Sequence, residues 1–126
     1  MQKSKFNSLI NQGFNHIPLS KEVVIDTATP LALYLKLANN PYSYFLESVQ
    51  GGEKWGRYSF IGLAAETVIK VYNYEVQVEK NGKLIQEKLV EDPLAWIEEY
   101  QNQFKVPQLD SLPDFNGGLV GYFGYE

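Results

Sequence analysis

The stretch that decides the fold is PYSYFLESVQGGEKWGRYSFIG, residues 41–62. Two apolar, aromatic-rich runs flank a glycine-containing turn, a pattern that predicts an antiparallel hairpin. The first run, YFLES, closes on Glu47 and Ser48, and the turn carries Lys54 and Arg57. A buried hairpin with this polar rim holds either an internal ion pair or one side of a binding site.

Side chains along the first run alternate between the two faces of the sheet. In the predicted strand YSYFLESV, one face carries Tyr42, Tyr44, Leu46 and Ser48, and the other carries Ser43, Phe45, Glu47 and Val49. Both faces are mainly apolar, which favours a central strand. Because Glu47 and Ser48 are neighbours, a regular strand lets only one of them reach a ligand through its side chain. The other would act through its backbone, unless a bulge breaks the alternation.

The residues themselves leave two interpretations of the polar rim open. A carboxylate on a central strand needs a partner, so Glu47 could pair with Lys54 or Arg57 while Ser48 bonds the turn. The same groups also suit a free amino acid. Its ammonium needs an anion, its carboxylate needs a cation or hydrogen-bond donors, and its side chain needs an apolar pocket.

Length and composition are those of one globular domain. The 126 residues are 44% hydrophobic and 14% aromatic, enough for a core, and the 21% of charged residues argue against disorder. A net charge of -4 argues against a nucleic-acid partner. No run approaches the roughly 18 apolar residues of a membrane helix. Since the chain has no cysteine, disulfides and thiolate chemistry are excluded, and a cytoplasmic location is the expectation.

Few residues are suited to catalysis. The single histidine, His16, lacks the surroundings of a triad or of a multi-histidine metal site. Asp92 is explained as a helix cap, and Glu98 and Glu99 lie on the solvated face of that helix. The run GGLVGYFG at 117–124 lacks the spacing of a phosphate loop, so its glycines indicate close backbone approach within a strand. The sequence is therefore poor in residues suited to catalysis or metal binding.

Helix signals occur at three places. Ser4 is the candidate cap of SKFNSLINQ, Thr29 and Pro30 start the helix predicted in DTATPLALYLKLANN, and Asp92 and Pro93 start the one predicted in DPLAWIEEYQNQFKV. Ser, Thr and Asp accept hydrogen bonds from free N–H groups at a helix start, and proline suits the first turn.

Extended segments account for most of the remainder, and Asn81-Gly82 is the strongest hairpin signal. We predict an α+β fold with antiparallel sheets in a sandwich-like arrangement and two or three peripheral helices. Because the last run breaks off within an apolar strand, we expect residues 1–126 to be a single region of a longer protein. The runs outside the opening hairpin are HIPLSKEVVID at 16–26, ETVIKVYN at 66–73, YEVQVEKNGKLIQEKL at 74–89 and NGGLVGYFGYE at 116–126.

Two segments carry a resemblance to a known family. Residues 28–66 contain an LES-type strand, YFLES, followed by GGEKWGRYSFIG, and residues 117–126 read GGLVGYFGYE, which matches a GG-x-VGY segment. In this order the motifs closely resemble the N-terminal region of anthranilate synthase component I, the large subunit. The match covers residues 14–126.

The resemblance implies a longer enzyme that converts chorismate to anthranilate, with ammonia and Mg2+, in tryptophan biosynthesis. A glutamine amidotransferase subunit would supply the ammonia. The chorismate and Mg2+ sites of the family lie in a C-terminal part that this chain lacks. The resemblance therefore implies no catalytic residue and no cofactor here, and an inactive fragment.

The resemblance also implies allosteric feedback inhibition by tryptophan. In the family, the LES strand and the strand after the glycine turn form part of the tryptophan site, and the C-terminal part supplies the remaining wall. Two alternatives stay open: the same region of aminodeoxychorismate synthase component I, and a free-standing amino-acid-binding module. The residues that match the site are Glu47, Ser48, Arg57, Tyr58 and Ser59.

Overall fold

The structure, a computed structural model, describes residues 1–48 and 58–125. Three helices and two antiparallel sheets occur in these residues, which confirms the predicted α+β class. The chain divides into two compact units, Met1–Val23 with Asp92–Glu126 and Val24–Glu91. The elements are α1 Lys3–Asn11, α2 Pro30–Leu37, β1 Tyr44–Glu47, β2 Ser59–Gly62, β3 Thr67–Tyr72, β4 Glu75–Lys80, β5 Lys83–Leu89 and α3 Pro93–Asn102.

Two of the three predicted helix starts are confirmed. The Thr29 side chain accepts a hydrogen bond from the backbone N–H of Ala32, and Pro30 follows in the first turn. Asp92 accepts from two backbone N–H groups of α3. The prediction for α1 was wrong by two residues, since Gln2 is the N-cap and makes no side-chain cap bond. Ser4 therefore lies inside the helix rather than at its start.

In the first unit, Asn15 ties the segment after α1 to the segment after α3. Its side-chain amide donates to the Gln103 carbonyl at 2.7 Å, and its Oδ1 accepts from the Lys105 N–H at 2.7 Å. The ring of His16 meets the ring of Phe104 edge-on, with 4.7 Å between centroids. His16 thus has a packing role.

Two runs that were expected to be extended strands have no ladder partner in the described residues. These are 16–26 and 116–125. Their apolar side chains are exposed, for example Val24 at 83% and Tyr122 at 94%. The strand expectation for the second run is therefore wrong here, because a β-strand needs a neighbour to pair its backbone and none is adjacent.

β4 is the centre of the three-stranded sheet, with β3 and β5 on either side. On one face Val76 is completely buried and Val78 is 2% exposed. Antiparallel pairing places Val71 opposite Val76 and Ile69 opposite Val78, which makes this the apolar face. The turn between β4 and β5 has Asn81 and Gly82 at φ 52° and 77°, as the Asn-Gly signal predicted.

The other face of this sheet is polar and carries a carboxyl pair. The side-chain amide of Gln77 donates to Glu75 Oε1 at 3.0 Å and to Glu87 Oε1 at 3.2 Å. The hydrogen bond and the negative charge of Glu75 raise the pKa of Glu87 above its ordinary 4.5. Hydrogen bonds from Glu87 and Gln77 lower the pKa of Glu75. The two neighbouring carboxyl groups therefore differ in pKa, with that of Glu87 above and that of Glu75 below the ordinary value.

Glu87→Gln is expected to alter the pH dependence of stability. A carboxyl group whose pKa is higher in the folded state than in the unfolded state stabilises the fold at pH values below its unfolded-state pKa. This contribution to stability is lost as the pH rises through the folded-state pKa. Urea unfolding between pH 4 and 7 should show this loss in the unsubstituted protein and not in the variant. Glu98→Gln, on the solvated face of α3, is the control. If the free energy of unfolding depends on pH in the same way in all three proteins, the raised pKa of Glu87 is contradicted.

Candidate functional site

The candidate site is built on the hairpin formed by β1 and β2. Its ladder pairs Tyr44 with Gly62 and continues without a register shift to Glu47 opposite Ser59. The N–H of Ser48 then donates to the Tyr58 carbonyl at 3.2 Å. No bulge interrupts the described pairs, so the two-residue alternation of side chains persists through Ser48.

One face of the hairpin lies against α2. The ring of Tyr34 stacks on Phe45 with 5.6 Å between centroids, and the Tyr34 hydroxyl lies 3.2 Å from the Ser43 hydroxyl. Residues two apart on a strand share a face, so Glu47 belongs to this same side. Its ladder partner Ser59 belongs there too. We call this the α2 face.

The opposite face carries Ser48 and a row of aromatic rings. Tyr58 and Phe60 stack with 6.3 Å between centroids. Leu46 is 44% exposed and Tyr58 is 58% exposed, so much of this surface is uncovered in the described residues. We call this the open face.

The structure separates the predicted site residues into two pairs. Glu47 and Ser59 are partners on the α2 face, whereas Ser48 and Tyr58 are partners on the open face. Arg57 lies outside the described residues, and the predicted ion pair between Glu47 and the turn cations lies there with it. A ligand seated on one face can therefore use the side chains of only one pair.

The expectation of a central strand fails within the described residues. β1 has one neighbour there, β2. Both faces of β1 are apolar for separate reasons: Phe45 packs on Tyr34 of α2, while Leu46 lies among the rings of the open face. Apolar character on both faces can arise from a covering helix as well as from flanking strands.

Ion pairs are few in the part of the chain that the structure describes. Among residues 1–48 and 58–125 the only ion pair joins Lys70 to Glu79, with 3.0 Å between Nζ and Oε1. The same residues hold no group of three side chains that could ligate a metal ion. No helix in the described part of the chain is long and apolar enough to cross a membrane.

The sequence predicted Tyr42 as part of the first strand, and this was wrong, because Tyr42 has a left-handed backbone with φ 60° and β1 begins at Tyr44. For a residue other than glycine this region costs about 1–2 kcal/mol. Lys70 Nζ lies 5.5 Å from the Tyr42 ring centroid. A hydrogen bond to the Tyr42 side chain, and then one to Glu79, raises the pKa of Lys70. The NNPYS segment signals a turn, but nothing in the sequence alone pairs it with β3.

Comparison with known proteins finds relatives that share the whole length of this chain. The chain is 52% identical, over all 126 of its residues, to anthranilate synthase component 1 of Pseudomonas putida and to that of Neisseria gonorrhoeae. The sequence is homologous to the N-terminal region of anthranilate synthase component 1. This confirms the resemblance found through the YFLES and GGLVGYFGYE motifs.

More distant relatives in this family match over nearly the same extent. Anthranilate synthase component 1 of Acinetobacter calcoaceticus is 40% identical over 98% of this chain. The chain spans about a quarter of the length of these relatives, 26% of the Pseudomonas putida protein and 25% of the Acinetobacter one. No family model and no solved structure matches the chain.

Proposed function

We propose that this chain is the N-terminal regulatory region of an anthranilate synthase component I. The 52% identity over the whole chain is the observation that carries the proposal. The full-length protein would be a lyase that makes anthranilate from chorismate for tryptophan biosynthesis. Its ammonia would come free from solution or from a glutamine amidotransferase subunit.

The chemistry of that reaction would lie outside this chain. Elimination and amination of chorismate with Mg2+ need carboxylate ligands and acid–base groups in a shared cleft. The described residues bring together no group of three side chains that could ligate a metal ion, and the capping role of Asp92 accounts for its carboxylate. We assign chorismate and Mg2+ to the longer remainder of the protein.

The contribution of this chain would be a partial tryptophan site on the β1–β2 hairpin. The open face carries the stacked rings of Tyr58 and Phe60, on which an indole ring could pack, and the alternation of side chains assigns Ser48 to the same face. Aromatic surfaces stack favourably on one another. Glu47 and Ser59, on the α2 face, would act through the backbone, and Arg57 would supply a cation from the turn.

Inhibition would follow from linkage between two sites. Tryptophan changes turnover only if it binds one arrangement of the protein better than another. A site with one wall on this hairpin and the other on the remainder of the protein meets that condition, because its shape changes when the two parts move. A coupling free energy of about 1–3 kcal/mol is typical of such systems.

Anthranilate fluorescence tests the proposed function. The full-length protein with chorismate, ammonia and Mg2+ is expected to release anthranilate, and tryptophan is expected to inhibit the release. Residues 1–126 alone are expected to turn over no chorismate and to bind tryptophan at least about tenfold more weakly, a difference of 1.4 kcal/mol. Chorismate turnover by the short chain, or an aminodeoxychorismate product from the long one, would contradict the proposal.

A further inference from the structure

Tyr42 is the one left-handed residue in the described chain that is neither glycine nor in a tight hairpin turn. Asn73 and Asn81 also have positive φ, but each lies in a short turn between paired strands. Asparagine tolerates this conformation well, whereas a bulky aromatic residue is a true outlier. Such a conformation persists only where the surrounding structure enforces it.

Contacts from two other segments hold Tyr42 in place. Its carbonyl accepts a hydrogen bond from the N–H of Ala65 at 3.0 Å, just beyond β2. Its ring lies 5.5 Å from Nζ of Lys70 on β3. That Nζ also lies 3.0 Å from Oε1 of Glu79 on β4, so the cation is fixed from a second side.

The next residue, Ser43, is tied to the end of α2. Its hydroxyl donates to the Asn40 carbonyl at 2.6 Å, and its N–H donates to the same carbonyl at 3.3 Å. The direction in which the chain enters β1 is therefore set at Tyr42 and Ser43 together. The bond between Tyr42 and Ala65 closes the base of the hairpin, at the end opposite its loop.

These contacts have a mechanical consequence for the candidate site. The β1–β2 sheet has only two strands in the described residues, and a lone two-stranded ribbon is held weakly by itself. α2 supports one of its faces through Tyr34 and Phe45. The Tyr42–Lys70–Glu79 cluster is the second support, and it joins the base of the hairpin to the three-stranded sheet.

We propose that Tyr42 is a positioning residue that fixes the β1–β2 hairpin on the three-stranded sheet and thereby sets the strength of the tryptophan response. The second half of this statement rests on the proposed function. Tyr42 itself touches no ligand in this scheme. It acts by positioning β1, and Ser48 directly follows the last residue of that strand.

Hydrogen exchange and inhibition, both measured on the full-length protein, test the two halves separately. Lys70→Met keeps the length of the side chain and removes its charge, and Tyr42→Leu removes the ring. Each is expected to speed amide exchange in residues 44–48 by about threefold or more, since weaker anchoring favours local opening. Each is also expected to raise the half-inhibitory tryptophan concentration about threefold, with kcat and KM within about twofold.

The double variant supplies the decisive comparison. If Tyr42 and Lys70 act as one unit, their combined effect on exchange is expected to equal either single effect rather than their product. Lys88→Met, on the exposed strand β5, is the matched control and should change neither quantity. Lys70→Met alters a surface ion pair, so it tests the proposal even if Tyr42→Leu fails to fold.

Two results would overturn the proposal. Unchanged exchange in residues 44–48 in both single variants would remove the positioning role. Faster exchange with unchanged inhibition would remove the link to regulation. A full-length protein that tryptophan does not inhibit at all would refute the proposed function, while the exchange data would still decide whether Tyr42 positions the hairpin.

Discussion

Ser48→Phe in the full-length protein is expected to raise the half-inhibitory tryptophan concentration by about tenfold or more, a loss of roughly 1.4 kcal/mol of binding. Ser48 continues the β1 ladder by donating its N–H to Tyr58, which places its side chain on the open face beside Leu46. A benzyl group there would occupy the volume that the indole needs. Turnover of chorismate without tryptophan is expected to stay within about twofold, because uniform loss of effector binding leaves the chemical step unchanged.

Glu47→Gln is the matched control for this change. Glu47 is the immediate neighbour of Ser48, yet the unbroken register turns its side chain to the α2 face, opposite Ser59. Substitution by glutamine keeps the shape and removes the charge. We expect a shift of no more than about threefold in the half-inhibitory concentration, since distant charges are screened by solvent.

The comparison discriminates between three arrangements. A large effect at Ser48 alone supports a ligand on the open face. A large effect at Glu47 alone would move the ligand to the α2 face and contradict our assignment. Equal large effects would require a distorted strand at this point, which the described ladder does not contain.

Local signals predicted two of the three helix starts and one turn. Thr29 with Pro30, and Asp92 with Pro93, each supply a side-chain acceptor and a fixed φ within two residues, so no distant contact is needed. The same holds for Asn81-Gly82, whose two positive φ angles depend on those residue types. These features could be predicted because their causes are local in sequence.

Pairing between distant segments could not be predicted in the same way. The run NGGLVGYFGYE has the composition of a strand, but its described residues have no ladder partner, and composition does not reveal whether a neighbour is available. Tyr42 illustrates the converse: it contacts Ala65 and Lys70, which lie 23 and 28 positions further along the chain.

For the candidate site, alternation predicted the division of side chains and the register confirmed it. The sequence alone placed Glu47 and Ser48 on opposite faces but did not say which face a helix covers. The stacking of Tyr34 on Phe45 settles that point within the described residues, since Phe45 and Glu47 share a face. Arg57 stays a prediction, because it lies outside those residues.

Gly62→Val is expected to destabilise the protein by about 1–3 kcal/mol, although valine is the better strand former. Gly62 pairs with Tyr44 at the base of the hairpin, and the Tyr44 ring lies across the position that a Cβ would take. Valine would overlap Cε1, Cδ1 and Cζ of that ring. The Tyr44 ring would have to move away from Gly62 and from its place on the open face. Urea unfolding followed by circular dichroism measures the change.

The sign of this effect depends on one ring, which permits a strict test. Tyr44→Ala removes the ring that obstructs the Cβ position. The strand preference of valine, worth up to about 1 kcal/mol, is then the remaining contribution to the change in the free energy of unfolding. Gly62→Val is therefore expected to be neutral or stabilising there, so that the double-mutant cycle gives a coupling of about 1–3 kcal/mol. If Gly62→Val costs the same with and without the Tyr44 ring, the close packing of ring on glycine is not what requires glycine at position 62. A backbone requirement of the strand would then be the cause.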